Sequence, residues 1–504
     1  IPMKVLLIYP NINSQVGFNF GVVFISAVLK KHGHETKLIN LNEKLGNLPD
    51  DKEIKRIIEE YNPQLIGFSA VTTQYQYALK IAKFIKSFCD IPIACGGVHS
   101  TMVPEEVIVE ECFNYVCVGE CEEAVLELAD KIEQGADTTR IGNIWVRSNG
   151  KVISNNVRAL PKLTDLPRKD YEIFDFQKMI DSEGGWVRMM TSRGCPFKCT
   201  YCFNHSIVER YKDETGSSTR DLNYIRRHSV DDIIDEIEYL LNKYNNITTF
   251  IFDDDVFTSS KTYLKEFCEK YQKAVKVPFV ANAHIRAFDD ERAKMLKDAG
   301  CMIIKFGLES GSERIRKDIL KRPMTNEDII RAFESAHKFD LHTSAFVMFG
   351  LPHETREEIL ETVKLLATIK PGRFRWSIFY PFPRTVAYEI SKKGNFINFD
   401  KMNALDNFTD DTCLDFGEEH NLFIAKLQRT IPWYVNMYCN DSSKEMYSIL
   451  INMIEKIPSD VWENIKDFTM PFDKEISKQL KQANVEHYAI KYNSFTAVNS
   501  KWDR

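Results

Sequence analysis

Short apolar runs alternate with amphipathic helical segments along the first part of the chain. The runs that have the length and apolar content of buried strands are "KVLLIYP", "TKLIN", "QLIGFSA", "IPIACGG" and "YVCVGE". Between them, segments such as "VVFISAVLKKHG" and "YALKIAKFIKSF" place apolar residues at helical spacing. Because strand and helix alternate regularly, we predict a parallel, doubly wound, Rossmann-like α/β domain over residues 3–135.

The ends of these predicted strands are rich in small and polar residues. They read "SAVTTQ", "CGGVHST" and "VGECEE", and ligands of open α/β sheets bind beyond such strand ends. Gly96 and Gly97 would let a flat ligand approach the backbone closely, although tight turns alone would also explain them. No G-x-G-x-x-G follows the first strand, so a dinucleotide has little support.

A second series of strands and helices begins after a break in the pattern. Residues 136–184 contain "IWVRSNGKVIS", which predicts a β-hairpin around Asn149 and Gly150, and a Pro-containing linker. Residues 185–394 then give about six βα units, which favours a (β/α)6 partial TIM barrel. Residues 395–504 predict a small, mostly helical C-terminal domain that faces the substrate. Its stretch "TIPWYVNMY" either lines a substrate pocket or packs that domain.

Composition narrows the class of protein and of partner. The chain has 504 residues, 44% of them hydrophobic, and a net charge of −6, so it lacks the basic surface expected for nucleic acid. No apolar run approaches the length of a transmembrane segment, and the first residues lack the features of a signal peptide. We therefore expect a cytoplasmic protein, in which the twelve cysteines are metal ligands, catalytic groups or core thiols rather than disulfides.

Three cysteines at C-x3-C-x2-C spacing carry the clearest chemical signal. Cys195, Cys199 and Cys202 lie in "TSRGCPFKCTYCFNHS", directly after an apolar run. Thiolates at this spacing in a loop can face one centre, as in iron–sulfur clusters. Zinc is the alternative, but a structural zinc site needs four ligands and only His205 is near. Three thiolates leave one iron of a four-iron cluster open to a substrate or cofactor.

A second group of thiols has C-x4-C-x3-C spacing. It consists of Cys112, Cys117 and Cys121. Cys117 falls inside an apolar strand and Cys121 beyond its end, so a second cluster here is the less favoured interpretation.

The cysteine motif resembles that of the radical SAM superfamily. Further segments with the same resemblance follow in order, namely "IFDDDVFT", "FGLESGSERI", "VMFGLPHET" and "YPFPRT". The resemblance implies a [4Fe-4S] cluster on Cys195, Cys199 and Cys202 whose open iron chelates S-adenosylmethionine (SAM). It also implies reductive cleavage of SAM to a 5'-deoxyadenosyl radical, with an electron donor such as flavodoxin or ferredoxin.

The resemblance also implies residues that contact SAM. The predicted set is Tyr201, Asp254, Asp255, Arg286, Glu309 and Ser310. Tyr201 precedes the last cysteine and is expected near the adenine. Asp254 and Glu309 would accept hydrogen bonds from the amino and ribose groups, and Arg286 would pair with the carboxylate. Ion pairs at the barrel mouth are the alternative for these charged residues, and His284 is either structural or a proton carrier.

The N-terminal domain resembles the cobalamin-binding domain that precedes the barrel in one subgroup of the superfamily, the class B methyltransferase-like enzymes. The matching segments are "PQLIGFSAVTTQ", "CGGVHSTMVPEEVI" and "VCVGECEEAV". The chain lacks D-x-H-x-x-G, so the resemblance implies a corrin bound with its own base detached and without a His ligand. The predicted contacts are Ser69, Thr72, Gly96, Gly97, His99, Gly119 and Glu120. A degenerate domain without cofactor is the alternative.

The resemblance therefore implies a cobalamin-dependent radical SAM enzyme. We expect a C-methyltransferase that moves a methyl group from methylcobalamin to an unactivated carbon after hydrogen abstraction by the 5'-deoxyadenosyl radical. A non-methylating member, such as an oxidative cyclase or a ring-contracting enzyme, is the first alternative, and a corrinoid carrier or sensor with a vestigial barrel is the second. The substrate stays open among small molecules, lipids, tetrapyrroles and peptides.

Overall fold

The computed structural model describes residues 2–439 and 441–503, and these form two compact units. The first unit contains residues 2–196, 202–248 and 382–385. The second contains residues 197–201, 249–381 and the described residues from 386 onwards. The described part of the chain contains no helix that is both long enough and apolar enough to cross a membrane.

The first unit is built on a seven-stranded sheet. Its strands are β1 (Lys4–Pro10), β2 (Glu35–Leu41), β3 (Leu65–Ser69), β4 (Ile93–Gly96), β5 (Tyr115–Cys117), β6 (Ile144–Ser148) and β7 (Lys151–Ile153). Their order is β2-β1-β3-β4-β5-β6-β7, parallel from β2 to β5 and antiparallel from β5 to β7. The predicted hairpin at Asn149 and Gly150 is the β6–β7 connection. Central strands such as β1 are apolar on both faces because helices cover both sides of a parallel sheet.

The first unit contains further helices and short strands besides this sheet. The helices are α1 (Phe20–Lys31), α2 (Asp51–Tyr61), α3 (Tyr75–Lys86), α4 (Val98–Met102), α5 (Pro104–Ile108), α6 (Glu122–Gln134), α7 (Phe176–Ser182), α8 (Phe203–Thr215) and α9 (Val230–Lys243). Three further strands are β8 (Trp186–Met189), β9 (Ser192–Arg193) and β10 (Arg226–Arg227), and β9 pairs antiparallel with β10. Local sequence fixes the helix ends, since Asn19 caps α1 and Asp50 caps α2 through their side-chain oxygens.

The second unit repeats the strand–helix alternation. Its strands are β11 (Thr249–Phe252), β12 (Phe279–Ala283), β13 (Cys301–Glu309), β14 (His342–Phe349), β15 (Arg373–Ile378), β16 (Tyr488–Ile490) and β17 (Thr496–Asn499). Its helices are α10 (Lys261–Ala274), α11 (Asp290–Asp298), α12 (Asn326–Lys338), α13 (Arg356–Ile369), α14 (Val386–Lys393), α15 (Phe399–Ala404), α16 (Glu418–Cys439), α17 (Asp441–Glu455), α18 (Ser459–Ile465) and α19 (Thr469–Gln482). Strands β11 to β15 are parallel neighbours in chain order, and β17 and β16 add to β15 antiparallel.

Alternation along β13 decides which side chains are available for chemistry. Phe306 packs against Phe333 of α12, with ring centroids 5.0 Å apart, so its side of the sheet is covered by helices. Gly307 and Glu309 therefore lie on the opposite face, at the C-terminal end of the strand. This is the end at which barrel enzymes collect their functional groups.

The aromatic stretch "TIPWYVNMY" lies inside α16 and is used for packing. Trp433 and Tyr434 are buried, and the Trp433 indole N–H donates to the Oδ1 atom of Asp473 at 2.8 Å. Tyr434 donates its hydroxyl hydrogen to Glu455 at 2.9 Å. These contacts tie α16 to α17 and α19, which favours the packing interpretation of this stretch.

Candidate functional site

The three motif cysteines lie on a loop that follows β9. Cys195 comes two residues after the end of β9, and Cys202 directly precedes α8, both in the first unit. Cys199 is buried and belongs to the second unit.

Cys199 accepts a hydrogen bond from Arg322, a residue that was not predicted to belong to the site. The guanidinium of Arg322 donates from Nη1 to the Cys199 sulfur at 3.4 Å and from Nη2 to the carbonyl oxygen of Gly307 at 2.7 Å. Its third nitrogen, Nε, is buried and has no hydrogen-bond partner among the described residues. Burial alone would lower the pKa of Arg322, but Tyr201 and Glu309 raise it above its usual value, so the side chain stays charged.

Glu309 lies beside this arginine at the end of β13. Tyr201 donates its hydroxyl hydrogen to Oε1 of Glu309 at 3.0 Å. A Cβ atom at Gly307 would meet the same oxygen, so only glycine leaves room for the carboxyl group to fold back along the strand. Burial raises the pKa of Glu309, and the Arg322 charge and the Tyr201 hydrogen bond offset part of that rise. Tyr201 and Glu309, both predicted SAM contacts, are thus brought together.

The other predicted SAM contacts lie at neighbouring strand ends. Asp254 is buried after β11, and its carbonyl oxygen accepts a hydrogen bond from the Asn282 side chain at 2.9 Å. Asp255 is exposed. Ser310 is fully buried, where its hydroxyl accepts a hydrogen bond from the Ser312 amide at 3.2 Å. The surroundings of Ser310 are those of a packed turn.

His284 follows β12 and lies against the cysteine loop. Its ring stacks on Phe197, with centroids 3.6 Å apart and planes 10° apart, and its Nδ1 accepts the backbone N–H of Arg286 at 3.2 Å. Burial, helped by the charges of Arg322 and Arg286, lowers the pKa of His284 to about 3. The ring is neutral at physiological pH and positions Phe197, which lies between the first two motif cysteines. The side chain of Arg286 itself is exposed.

The first unit contains a cavity of about 450 Å³ that runs along its parallel strands, from Val5 and Leu65 near their starts to Ser69 and Gly96 at their C-terminal ends. Five of the seven predicted cobalamin contacts line it, namely Ser69, Gly96, Gly97, Gly119 and Glu120. The other two pair with each other, since the Thr72 hydroxyl lies 3.3 Å from Nδ1 of His99. The His99 ring also packs at a tilt of 31° against the Tyr75 ring, with centroids 4.2 Å apart, and burial lowers the pKa of His99 to about 4.

Glycine is required where the cavity wall is made of backbone. Gly97 has φ of +98°, and a Cβ atom there would lie 2.5 Å from the carbonyl oxygen of Ala70. Gly119 has φ of +78°, and its Cβ would collide with the hydroxyl of Tyr211. The rest of the lining is mostly apolar, with Leu7, Phe20, Phe68, Ala94, Val125 and Phe203 among its members. The volume is within the range of ~300–1,000 Å³ typical of ligand pockets, and the walls suit a flat, mostly apolar group.

Glu120 forms an ion-pair network at the edge of this cavity. Its carboxylate accepts hydrogen bonds from Arg193 at 2.6 Å and from Arg226. Arg193 also pairs with Glu122 at 2.6 Å. Burial would raise the pKa of Glu120, but the two guanidinium groups more than offset this and hold it below its usual value. Because all four charges belong to the first unit, the network joins the β5–α6 loop to β9 and β10.

The second group of thiols is buried in the first unit. Cys117 and Cys121 line the cavity, whereas Cys112 packs into the core. Burial raises the pKa of Cys112 to about 11. A hydrogen bond to Cys117 and burial also raise the pKa of Cys121. The three thiols are thus divided between the cavity lining and the core.

The fold and these sites define a radical SAM enzyme with an N-terminal B12-binding domain. The model of the radical SAM superfamily matches residues 189–366, and that of the B12 binding domain matches residues 14–129. The chain belongs to the cobalamin-dependent radical SAM superfamily. The predicted family and fold class are confirmed, and so are SAM and cobalamin as cofactors, since the two matched domains are named for them.

Sequence relatives cover most of the chain. An uncharacterized methyltransferase of Pyrococcus horikoshii is 28% identical over 421 residues, which cover 80% of this chain and 87% of the relative. The anaerobic magnesium-protoporphyrin IX monomethyl ester cyclase of Rubrivivax gelatinosus is 26% identical over 443 residues, which cover 82% and 75% of the two chains.

Two solved structures share the fold. The radical S-adenosylmethionine methyltransferase TsrM from Kitasatospora setae, with cobalamin and a [4Fe-4S] cluster bound, has a TM-score of 0.62 and 18% identity over 78% of this chain and 75% of its own. The cobalamin-dependent S-adenosylmethionine radical enzyme OxsB, with aqua-cobalamin and S-adenosylmethionine bound, has a TM-score of 0.67 and 16% identity over 96% and 76% of the chains.

Proposed function

We propose that this protein is a C-methyltransferase that moves a methyl group from methylcobalamin to an unactivated carbon of its substrate. The observation that carries the proposal is the cavity of the first unit, which five predicted cobalamin contacts line together. Gly96, Gly97 and Gly119 are part of its lining, so a ligand there could reach the backbone. The Pyrococcus horikoshii relative, named as a methyltransferase, supports methyl transfer as the reaction.

We assign the iron–sulfur cluster to Cys195, Cys199 and Cys202. The fit rests on Arg322, a buried cation that donates to the Cys199 sulfur and keeps one unused N–H. A buried cation is costly unless an anion balances it, and a ligating thiolate provides that anion. Tyr201, fixed by Glu309, is placed to contact SAM next to the last cysteine. Asp254 and Arg286 are the proposed partners of its amino and carboxylate groups.

We assign cobalamin to the cavity of the first unit. The cofactor would meet a hydroxyl group and backbone atoms at Ser69, Gly96, Gly97 and Gly119. The apolar walls of the cavity would surround the detached base of the cofactor. The side chains of Thr72 and His99 interact with each other and would stabilise the segments that follow β3 and β4. When bound, the cofactors supply a radical that removes hydrogen from carbon and a methyl group to replace it. The protein's task is to hold the reactants in line and to exclude water.

The test needs no knowledge of the substrate. Protein purified without oxygen and reconstituted with iron, sulfide and cobalamin should hold about four irons and one corrinoid. Under reducing conditions it should convert one SAM per chain to S-adenosylhomocysteine, because methylation of the corrinoid consumes SAM without cleaving it to 5'-deoxyadenosine. When the substrate is also present, S-adenosylhomocysteine and 5'-deoxyadenosine should form in equal amounts. A loaded enzyme that never forms S-adenosylhomocysteine would contradict the proposal.

A cyclase reaction is the second candidate. It is favoured by the Rubrivivax gelatinosus relative, whose name states a ring-forming reaction and which aligns with 82% of this chain. In that case 5'-deoxyadenosine should form without S-adenosylhomocysteine and without a methylated product. A corrinoid carrier or sensor would form neither. We propose a small-molecule, lipid or peptide substrate, a flavodoxin or ferredoxin as electron donor, and a cytoplasmic location.

A further inference from the structure

A buried arginine contacts the middle cysteine of the motif directly. Arg322 lies 123 residues beyond Cys199 in the chain and donates to its sulfur at 3.4 Å. A second bond, to the carbonyl oxygen of Gly307 at 2.7 Å, fixes the guanidinium against β13. Arg322 is 8% exposed, so solvent screens its charge poorly. A fixed positive charge therefore lies within hydrogen-bond distance of a proposed cluster ligand.

We propose that Arg322 is a positioning residue that sets the reduction potential of the iron–sulfur cluster through the Cys199 thiolate. The inference rests on the proposed assignment of Cys199 as a cluster ligand. Cluster potentials depend on net charge, on hydrogen bonds to the sulfurs and on solvent exposure. Reduction adds one electron from a low-potential donor and neither makes nor breaks a bond. Because the reduced cluster carries the extra negative charge, the nearby cation stabilises it more than the oxidised cluster.

The guanidinium suits this role better than an ammonium group would. An arginine stays charged under all physiological conditions, and its planar fork can serve two acceptors at once. Here the two acceptors are Cys199 and Gly307, and Nε remains for a third. Glu309 lies on the same side of the site, but burial raises its pKa, which weakens its ability to cancel the arginine charge.

The test compares Arg322→Gln with wild-type enzyme, with Arg322→Lys and with Lys321→Gln. The Gln variant removes the charge and keeps a donor, whereas the Lys variant keeps the charge. Lys321 is exposed and adjacent, so its substitution controls for the loss of one positive charge in the same segment. The readouts are the iron content, the affinity for SAM, and the reduction potential from electron paramagnetic resonance during titration with dithionite.

We expect Arg322→Gln to retain its iron and to have a more negative potential. The ratio of reduced to oxidised cluster at a fixed potential should fall about tenfold, a shift of about 59 mV for a one-electron couple. Arg322→Lys and Lys321→Gln should stay close to wild type. An unchanged potential with weakened SAM binding would overturn the inference and assign Arg322 to the SAM carboxylate. An unchanged potential with unchanged SAM binding would leave Arg322 only its structural bond to Gly307.

Two controls separate this inference from the proposed function. If Arg322→Gln loses its iron, Arg322→Lys carries the test, since a wild-type potential in it supports the electrostatic role and a shifted one contradicts it. If the wild-type protein binds no cluster, the proposed function fails first. If the wild-type protein binds the cluster but transfers no methyl group, the reduction potential of the cluster in the variants still tests the inference about Arg322.

Discussion

Replacing Glu120 with Gln is expected to destabilise the β5–α6 loop of the first unit without emptying the cavity. The Glu120 carboxylate bridges Arg193 and Arg226, whose side chains are 13% and 5% exposed. The variant leaves Arg193 its second partner, Glu122, but leaves Arg226 only carbonyl oxygens. The loss therefore falls mainly on Arg226, which becomes a buried cation without a balancing anion.

The magnitude follows from the burial of this network. Removing one partner of a fully buried ion pair costs ~3–5 kcal/mol. The Glu120 side chain is 20% exposed and Gln still offers one acceptor oxygen, so we expect about 2 to 3 kcal/mol. That free energy corresponds to an increase of about 30- to 150-fold in the opening equilibrium of the loop. Since the pKa of Glu120 is depressed, the difference should be full above the unfolded pKa of ~4.3 and vanish as pH falls through the folded pKa.

Hydrogen exchange followed by mass spectrometry measures this local opening directly. Peptides that cover β5, β9 and β10 should exchange faster in Glu120→Gln, while those from the second unit should not change. Glu123→Gln, at the exposed second residue of α6, is the matched control. Unchanged exchange together with lost cobalamin binding would refute the structural reasoning and show that Glu120 contacts the cofactor, as the sequence motif predicted.

Three further substitutions test other parts of the assignment. Cys199→Ala should remove most cluster iron and abolish 5'-deoxyadenosine formation while corrinoid binding persists, and retained SAM cleavage would disprove the ligand assignment. Gly97→Val should impair cobalamin loading and spare the iron, because its Cβ would lie 2.5 Å from a carbonyl oxygen, whereas Gly33→Ala, at φ of +91° with open space around it, should load normally. Burial raises the pKa of Glu354 to about 8. The free energy of unfolding of the wild-type protein should therefore decrease as the pH rises from about 4.5 to 8. Glu354→Gln should match wild type below about pH 4.5 and exceed it by a growing margin as the pH rises to 8 in thermal unfolding, and parallel pH profiles would contradict this.

The alternating strands and helices could be predicted because each carries its own periodicity. The runs that became β1, β3 and β4 are continuous apolar segments bounded by turn residues, which local sequence is sufficient to define. β16 and β17 were not predicted, because each has only three or four residues and they join the sheet only through the pairing of β17 with β15. That pairing joins segments more than a hundred residues apart in the chain, and no local pattern signals it.

The site separates in the same way into local motifs and distant partners. The cysteine loop and the glycines at strand ends can be recognised in the sequence, because their spacing and residue types indicate what they could bind. Arg322 could not be recognised in this way. Its segment "LKRPMT" has the sequence of an exposed helix end, and only the fold brings the side chain to Cys199. Arg226 likewise lies 106 residues from Glu120. No local sequence pattern connects these two residues.

Glu120 shows why a motif can identify a site without fixing the role of each member. Its sequence context led to the prediction of a cofactor contact, and it does line the cavity. Both of its carboxylate oxygens, however, accept hydrogen bonds from buried guanidinium groups. Any contact it made to cobalamin would compete with those bonds, each of which balances a charge that solvent cannot reach. We therefore infer that Glu120 holds the cavity wall in place and that the backbone at Gly96, Gly97 and Gly119 meets the ligand.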